Sequence, residues 1–152
     1  MTARVENAVL LAPKSLAAMR ELEKTIHASG LEHPLLGLVK VRASQINGCT
    51  FCIDMHVRQL LAHGEDPFRL HHLAGWRESE LYSARERAAL GWCEALTRLC
   101  DTGAPDAAYE ALAAQFSAVE QVTLTYAIGA INAWNRLQVG FRAAPAGVAA
   151  AA

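Results

Sequence analysis

A membrane-length hydrophobic run, an excess of one charge, strand-like segments and a second C-x-x-C motif are all missing from this 152-residue chain. Each absence excludes something. The one almost unbroken apolar stretch, Val122 to Ala133, is too short to span a bilayer and reads as a buried core helix. The formal net charge is -1, with no cluster of Lys and Arg, which argues against a dedicated nucleic-acid binder. Met1 to Pro13 carries Arg4, Glu6 and Asn7 inside any apolar run, so it reads poorly as a secretory signal. The expected compartment is the cytoplasm. There, four cysteines point to catalysis, metal binding or burial rather than to a secreted disulfide framework.

What is present is a succession of helix signals. With 53% apolar and 19% charged residues, the chain is globular and long enough for one domain with a sizeable core. Leu16, Met19, Leu22, Glu23 and Ile26 trace one helical face, and Gly30 is a C-terminal stop. Pro34 fits the first turn of a second helix through Leu36, Val39 and Val41. The breaker pair Asn47-Gly48 places Cys49 at or near the start of a third helix, which passes His56, Leu60 and Leu61 and stops at Gly64. Asp66-Pro67 reads as N-cap and N1 proline of a short helix to about Ala74.

Ser83 to Glu86 and Ser117 to Glu120 both have capping-box spacing. The first opens a helix through Leu90, Ala95 and Leu99 that stops near Gly103. The second opens the long apolar helix, reaching Arg136 or beyond. Between them Asp106 caps a helix through Tyr109, Leu112 and Phe116. No repeat or linker divides the chain, so the reading is all-α and single-domain. The Ala-, Gly- and Pro-rich tail from Ala143 to Ala152 is expected to fray.

The chemistry concentrates in Cys49-Thr50-Phe51-Cys52 and the histidine four residues on, His56. At about 100° per helical residue, Cys52 lies roughly 60° and His56 roughly 20° from Cys49, so the three share a face. Cysteine reacts as the thiolate, and two features favour that form. The helix N-terminus stabilises an anion at Cys49. The His56 imidazole sits one turn from Cys52, at a Cβ separation of about 5–6 Å, and can take its proton. Cys52 is therefore the expected attacking thiol and Cys49 the resolving one, with the reverse assignment left open.

A thiolate that attacks a peroxide O–O bond becomes sulfenic acid, which a second thiol converts to a disulfide. An external reductant reopens the bridge by exchange. The i, i+3 spacing suits such a bridge, because disulfide Cα atoms lie about 4.4–6.8 Å apart. This scheme requires no metal and no organic cofactor.

Other readings of these residues are weaker. Zinc wants four ligands, and Cys49, Cys52 and His56 supply three. Cys93 and Cys100, seven apart on one predicted helix, read as buried structural thiols. His63 and His27 read as last-turn histidines bonded to helix carbonyls, while His33, His71 and His72 are expected at the surface. Asp54 points roughly 140° from Cys49 and takes no part.

The segment Ala43-Ser44-Gln45-Ile46-Asn47-Gly48-Cys49 through His56 resembles the core of the alkylhydroperoxidase D-like group in the carboxymuconolactone decarboxylase superfamily. Arg85-Glu86-Arg87-Ala88-Ala89-Leu90 with Glu94-Ala95-Leu96, and Ile131-Asn132-Ala133-Trp134-Asn135-Arg136, support the likeness, which runs from about Pro13 to Arg142. The resemblance implies a helical bundle of about six to seven helices over residues 1–142, with 143–152 as a tail. It also implies a homo-oligomer, trimeric or hexameric, with peroxidase activity through the two cysteines. In that family the second cysteine meets the peroxide and the histidine relays its proton, which maps onto Cys52 and His56. The implied partners are a hydroperoxide and a dithiol electron donor, without nucleic acid or membrane.

One departure stands out. The family carries a glutamate twelve residues before the first cysteine, and this chain has Gly37 there. Glu86 is a candidate substitute, although its capping-box position gives it a local role instead. Trp134, Asn135 and Arg136 could line the approach to the thiols, with Trp134 expected rather to continue the core stripe and Arg136 to pair at a subunit interface. A general dithiol–disulfide oxidoreductase and a non-enzymatic oligomeric binding protein remain as alternatives. A lactone decarboxylase is disfavoured, because that chemistry leaves the thiol pair idle.

Overall fold

The computed structural model describes residues 2–145, and the regular structure among them is helical, with no strand. The described residues contain eight α-helices: α1 (Pro13–His27), α2 (His33–Asn47), α3 (Thr50–Ala62), α4 (Pro67–His72), α5 (Ala84–Thr97), α6 (Leu99–Thr102), α7 (Asp106–Ala113) and α8 (Ala118–Phe141). Two 3-10 turns, Ala8–Leu11 and Leu73–Glu78, complete the order. Most of the expected tail lies outside the described residues.

Local chemistry sets most of the boundaries. Ser83 and Ser117 each accept from the backbone N–H three residues on, while Glu86 and Glu120 reach back to the serine N–H, so both capping boxes form. Asp66 accepts from Phe68 N–H, and Pro67 follows at N1. At the end of α2, Gly48 takes φ +67°, a left-handed value that a side chain would disfavour.

The axis of the fold is α2, which packs on α3, α5 and α8. Its residues Leu35, Leu36, Leu38, Val39, Val41 and Ala43 are all buried, so apolar side chains cover nearly its whole circumference. One side meets Leu124, Ala127, Ile128 and Ile131 of α8 and Ala89 and Cys93 of α5. The other meets Leu60, Leu73, Trp76 and Tyr82. At Gly37 a Cβ would come within 2.5 Å of the buried Leu60 side chain, so glycine here permits α3 to close on α2.

Polar ties reinforce this packing. Glu94 of α5 accepts from Arg42 at 2.8 Å, from Trp76 Nε1 at 2.9 Å and from Arg77 at 2.8 Å. Arg85 joins Glu32, the N-cap of α2, to Glu120 in the first turn of α8. Asn135, 1% exposed in α8, donates to Ser44 Oγ at 3.0 Å and accepts from Asn47 Nδ2 at 2.9 Å. Asn47 also donates to Asn132 Oδ1 at 3.0 Å. The last turn of α2, immediately before Cys49, is thereby fastened to α8.

Four expectations change. The helix expected to run through Leu99 breaks at Arg98, where φ -106° and ψ 38° leave the helical region, and α6 is a separate piece. Cys100 consequently leaves the face of Cys93 and is exposed, whereas Cys93 is buried as expected. Asp106 is the first residue of α7 and not its cap, since Pro105 holds the extended N-cap position. Val122 to Ala133 is buried on one side only: Leu124, Ala127, Ile128, Ala130 and Ile131 face inward, while Val122 and Tyr126 are 57% and 60% exposed. A helix packed against neighbours on one face alone leaves the opposite residues of an apolar run in solvent. Among the described residues no helix is long and apolar enough to cross a membrane.

The Asn135 tie gives a direct test. Asn135→Ala leaves Ser44 and Asn47 without a shared partner, and stability in urea should fall by about 1–3 kcal/mol. An unchanged denaturation midpoint would show that this tie contributes nothing.

Candidate active site

The turn at Asn47-Gly48 delivers Cys49 to the N-cap of α3. Cys49 N–H donates to Ser44 O at 2.9 Å, and Cys49 Sγ accepts from Cys52 N–H at 3.3 Å. Cys49 thus stands one position ahead of the helix proper, with its sulfur among the unpaired N–H groups. Cys52 lies in the first turn of α3. The two are joined as a disulfide with a Cα separation of 5.4 Å, and each is 1% exposed.

Their surroundings differ. Cys52 lines a cavity of about 910 Å³ walled by α1, α2, α3 and α8, whereas Cys49 does not border it. Phe51, Met55, Leu36, Ile131 and Trp134 give the cavity an apolar lining. Its polar groups include His56, Gln59, Lys40 and Glu23. Of the two cysteines, only Cys52 is therefore open to a molecule held in this space.

His56, one turn after Cys52, is 8% exposed and borders the same cavity. Its Nδ1 bonds Gln59 Oε1 at 2.9 Å, so Nδ1 carries the proton and the Nε2 lone pair is left to accept one. Burial, followed by the positive charge of Lys40, lowers its pKa from 6.5 to about 4. In this bridged state no thiolate is present to hold an imidazolium. Among the described residues no group of three His, Cys, Asp or Glu side chains converges as a metal ligand set.

The remaining candidates fall on either side of the cavity wall. Trp134 borders it and also packs against the core, and its Nε1 donates to Glu23 Oε1 at 3.2 Å. Asn135 is part of the α2–α8 tie, and Arg136 bonds Asn132 O of its own helix at 2.9 Å. Glu86 completes its capping box and pairs with Arg69, away from the cavity. Asp54 pairs with Arg58 at 2.9 Å. Cys93, fully buried, has its thiol pushed up to about 12 by desolvation and is unsuited to ionise.

The histidine expectations divide. His63 Nδ1 bonds Gln59 O at 2.7 Å, as a last-turn histidine should. His27 does otherwise, its ring meeting that of His33 edge-on at 5.2 Å, because the short α1–α2 connection brings the two together. His33 is at the surface as expected and bonds His27 O at 3.2 Å.

Gln59, Lys40 and Glu23 escaped the sequence reading as site residues. Glu23 carried a signal as the one charged residue on an otherwise apolar face of α1. Lys40 carried another, as a lone charge within the apolar run Leu35 to Val41.

Comparison with known proteins adds a lineage to this geometry. Residues 13–95 match the Carboxymuconolactone decarboxylase family. The uncharacterized protein YdfG of Bacillus subtilis is 36% identical over 136 residues, covering 88% of this chain and 92% of that protein. A solved structure of ATU0492 from Agrobacterium tumefaciens, a protein of unknown function provisionally assigned to antioxidant defence, superposes with a TM-score of 0.91. It is 46% identical and covers 95% of this chain and 98% of that one. The debrominase Bmp8 shares the fold with a TM-score of 0.82 at 18% identity, over 91% of this chain and 75% of its own.

The depressed His56 pKa has a measurable consequence. Unfolded, the imidazole takes up its proton as the pH falls below 6.5, whereas folded it resists until about 4. Its contribution is therefore complete above 6.5 and is lost on acidification across that window, to the extent of about 3 kcal/mol. In thermal melts from pH 7.5 to 4, His56→Gln should flatten the acid-side loss, and parallel curves would refute this assignment.

Proposed function

The chain belongs to the carboxymuconolactone decarboxylase family, and from that premise we propose that it is a thiol-dependent peroxidase. One observation carries the reading: of two cysteines close enough to bridge, only Cys52 borders the large cavity, and His56 stands there beside it. The cycle begins with both thiols reduced. Cys52 loses its proton to His56 Nε2, and the thiolate attacks the terminal oxygen of a hydroperoxide. The O–O bond breaks, the sulfur becomes sulfenic acid, and the departing alkoxide takes the proton from His56. Cys49 then attacks the sulfenic sulfur, water leaves, and the Cys49–Cys52 bridge forms. A dithiol donor reopens it by exchange, emerging as its own disulfide.

The recess favours a small substrate. Both cysteines are 1% exposed, which weighs against a general oxidoreductase acting on the disulfides of folded proteins. The proposal includes self-association into a trimer or hexamer, in keeping with the apolar outer face of α8 at Val119, Val122 and Tyr126. It also includes a cytoplasmic setting, where dithiol donors are maintained.

Cys52→Ser should abolish consumption of hydrogen peroxide and cumene hydroperoxide. Cys49→Ser should complete a single turnover and leave a sulfenic acid at Cys52 that dimedone traps, seen as a mass adduct. Equal peroxide consumption by wild type and Cys52→Ser would falsify the proposal.

A further inference from the structure

Lys40 is the one lysine or arginine among the described residues that is buried, at 4% exposure. An ammonium withdrawn from water needs a partner of opposite charge. Glu23 of α1 supplies it, with Nζ to Oε2 at 2.5 Å, and Trp134 Nε1 holds the second carboxylate oxygen at 3.2 Å. All three side chains border the cavity that contains Cys52 and His56. Lys40 also lies one helical turn beyond Gly37, on the same face of α2. The ion pair and Gly37 therefore line the same cavity as the imidazole.

From these observations we infer that Lys40, fixed by Glu23, is the positioning charge that holds the Cys52 thiolate, in place of a carboxylate acting through His56. The inference rests on Cys52 being the reactive thiol. In the ionisation step only the Cys52 S–H bond breaks, and the proton passes to His56, which hands it to the departing alkoxide during turnover and to solvent when no peroxide is present. Lys40 neither gives nor takes a proton, and its field stabilises the anion left behind. The same field opposes a lasting imidazolium at His56, more strongly than Glu23 favours one, so the histidine passes the proton on.

Other charges surround this space. From α1 it is faced by Arg20, Glu23 and His27, from α2 by His33 and Lys40, and from α3 by His56 and His63. Glu65 is tied to Arg69 at 2.9 Å, and the α8 wall carries no charge. Arg20, His27, His33 and His63 are exposed, where water screens them. Lys40, Glu23 and His56 are the enclosed groups apart from the Arg69-paired Glu65, and their balance sets the potential at Cys52.

The test reads thiol acidity without peroxide. In a Cys49→Ser, Cys100→Ser parent, the rate of Cys52 alkylation by iodoacetamide is followed from pH 5 to 10, with the site identified by mass spectrometry. Lys40→Met should move the midpoint to higher pH by about one unit or more, an approximately tenfold fall in rate at acidic pH. Lys40→Arg should restore the parent midpoint. Because Lys40→Met strands Glu23, the double variant Lys40→Met, Glu23→Gln removes both charges and settles the question even if the single variant does not fold. A double-variant profile superimposed on the parent's overturns the inference. Absence of peroxide turnover alongside a Lys40-dependent midpoint would instead count against the peroxidase reading alone.

Discussion

The tie between the end of α2 and the middle of α8 is the constraint on which the site depends. Asn135 and Asn132 hold Asn47, Asn47 is followed by the left-handed Gly48, and Gly48 releases the chain at the angle that makes Cys49 an N-cap. Everything downstream inherits that placement. Cys52 falls in the first turn of α3, His56 one turn further, and both border the cavity because α3 is packed along α2 from that start. The contribution of the amides is to make the position of two sulfurs a property of the fold and not of a loop.

The environments of the two thiols are divided by a single turn of helix. Cys49 has the backbone N–H groups and no access to the cavity, while Cys52 has access, a neutral imidazole and a cation across the space. This division suits a pair in which one sulfur meets a small molecule and the other meets only its partner. Cys93 supplies the contrast within the same molecule, because desolvation outweighs its hydrogen bond to Thr97 and the nearby charge of Arg42, pushes its thiol up and leaves it unsuited to ionise.

Features written in consecutive residues were legible in the sequence. Both serine capping boxes, the Asp66-Pro67 start, the glycine stop at Gly48 and the Cys49, Cys52, His56 grouping depend on neighbours within four positions. Features that depend on distant partners were not. The break at Arg98 has no Gly or Pro to announce it, and it is accompanied by Thr102 Oγ1 donating to Ala95 O at 2.7 Å. That break alone moved Cys100 from the interior to the surface. Lys40 and Glu23 lie seventeen positions apart on different helices, so only packing reveals them as a pair. Gly37 looked like the loss of a functional side chain, and the structure shows the Leu60 side chain filling the space its Cβ would need.

The start of the chain has a quieter effect. Arg4 N–H donates to Phe141 O at 3.0 Å and its guanidinium to Gly140 O at 3.0 Å, which pins the N-terminal segment against the last turn of α8. The 3-10 turn that follows places Val9 at the edge of the space beside Cys52. The cavity that holds Cys52 is thus framed partly by residues outside every recognisable motif. Its shape can be altered by substitution ahead of α1, with the Cys49–Cys52 pair itself left untouched.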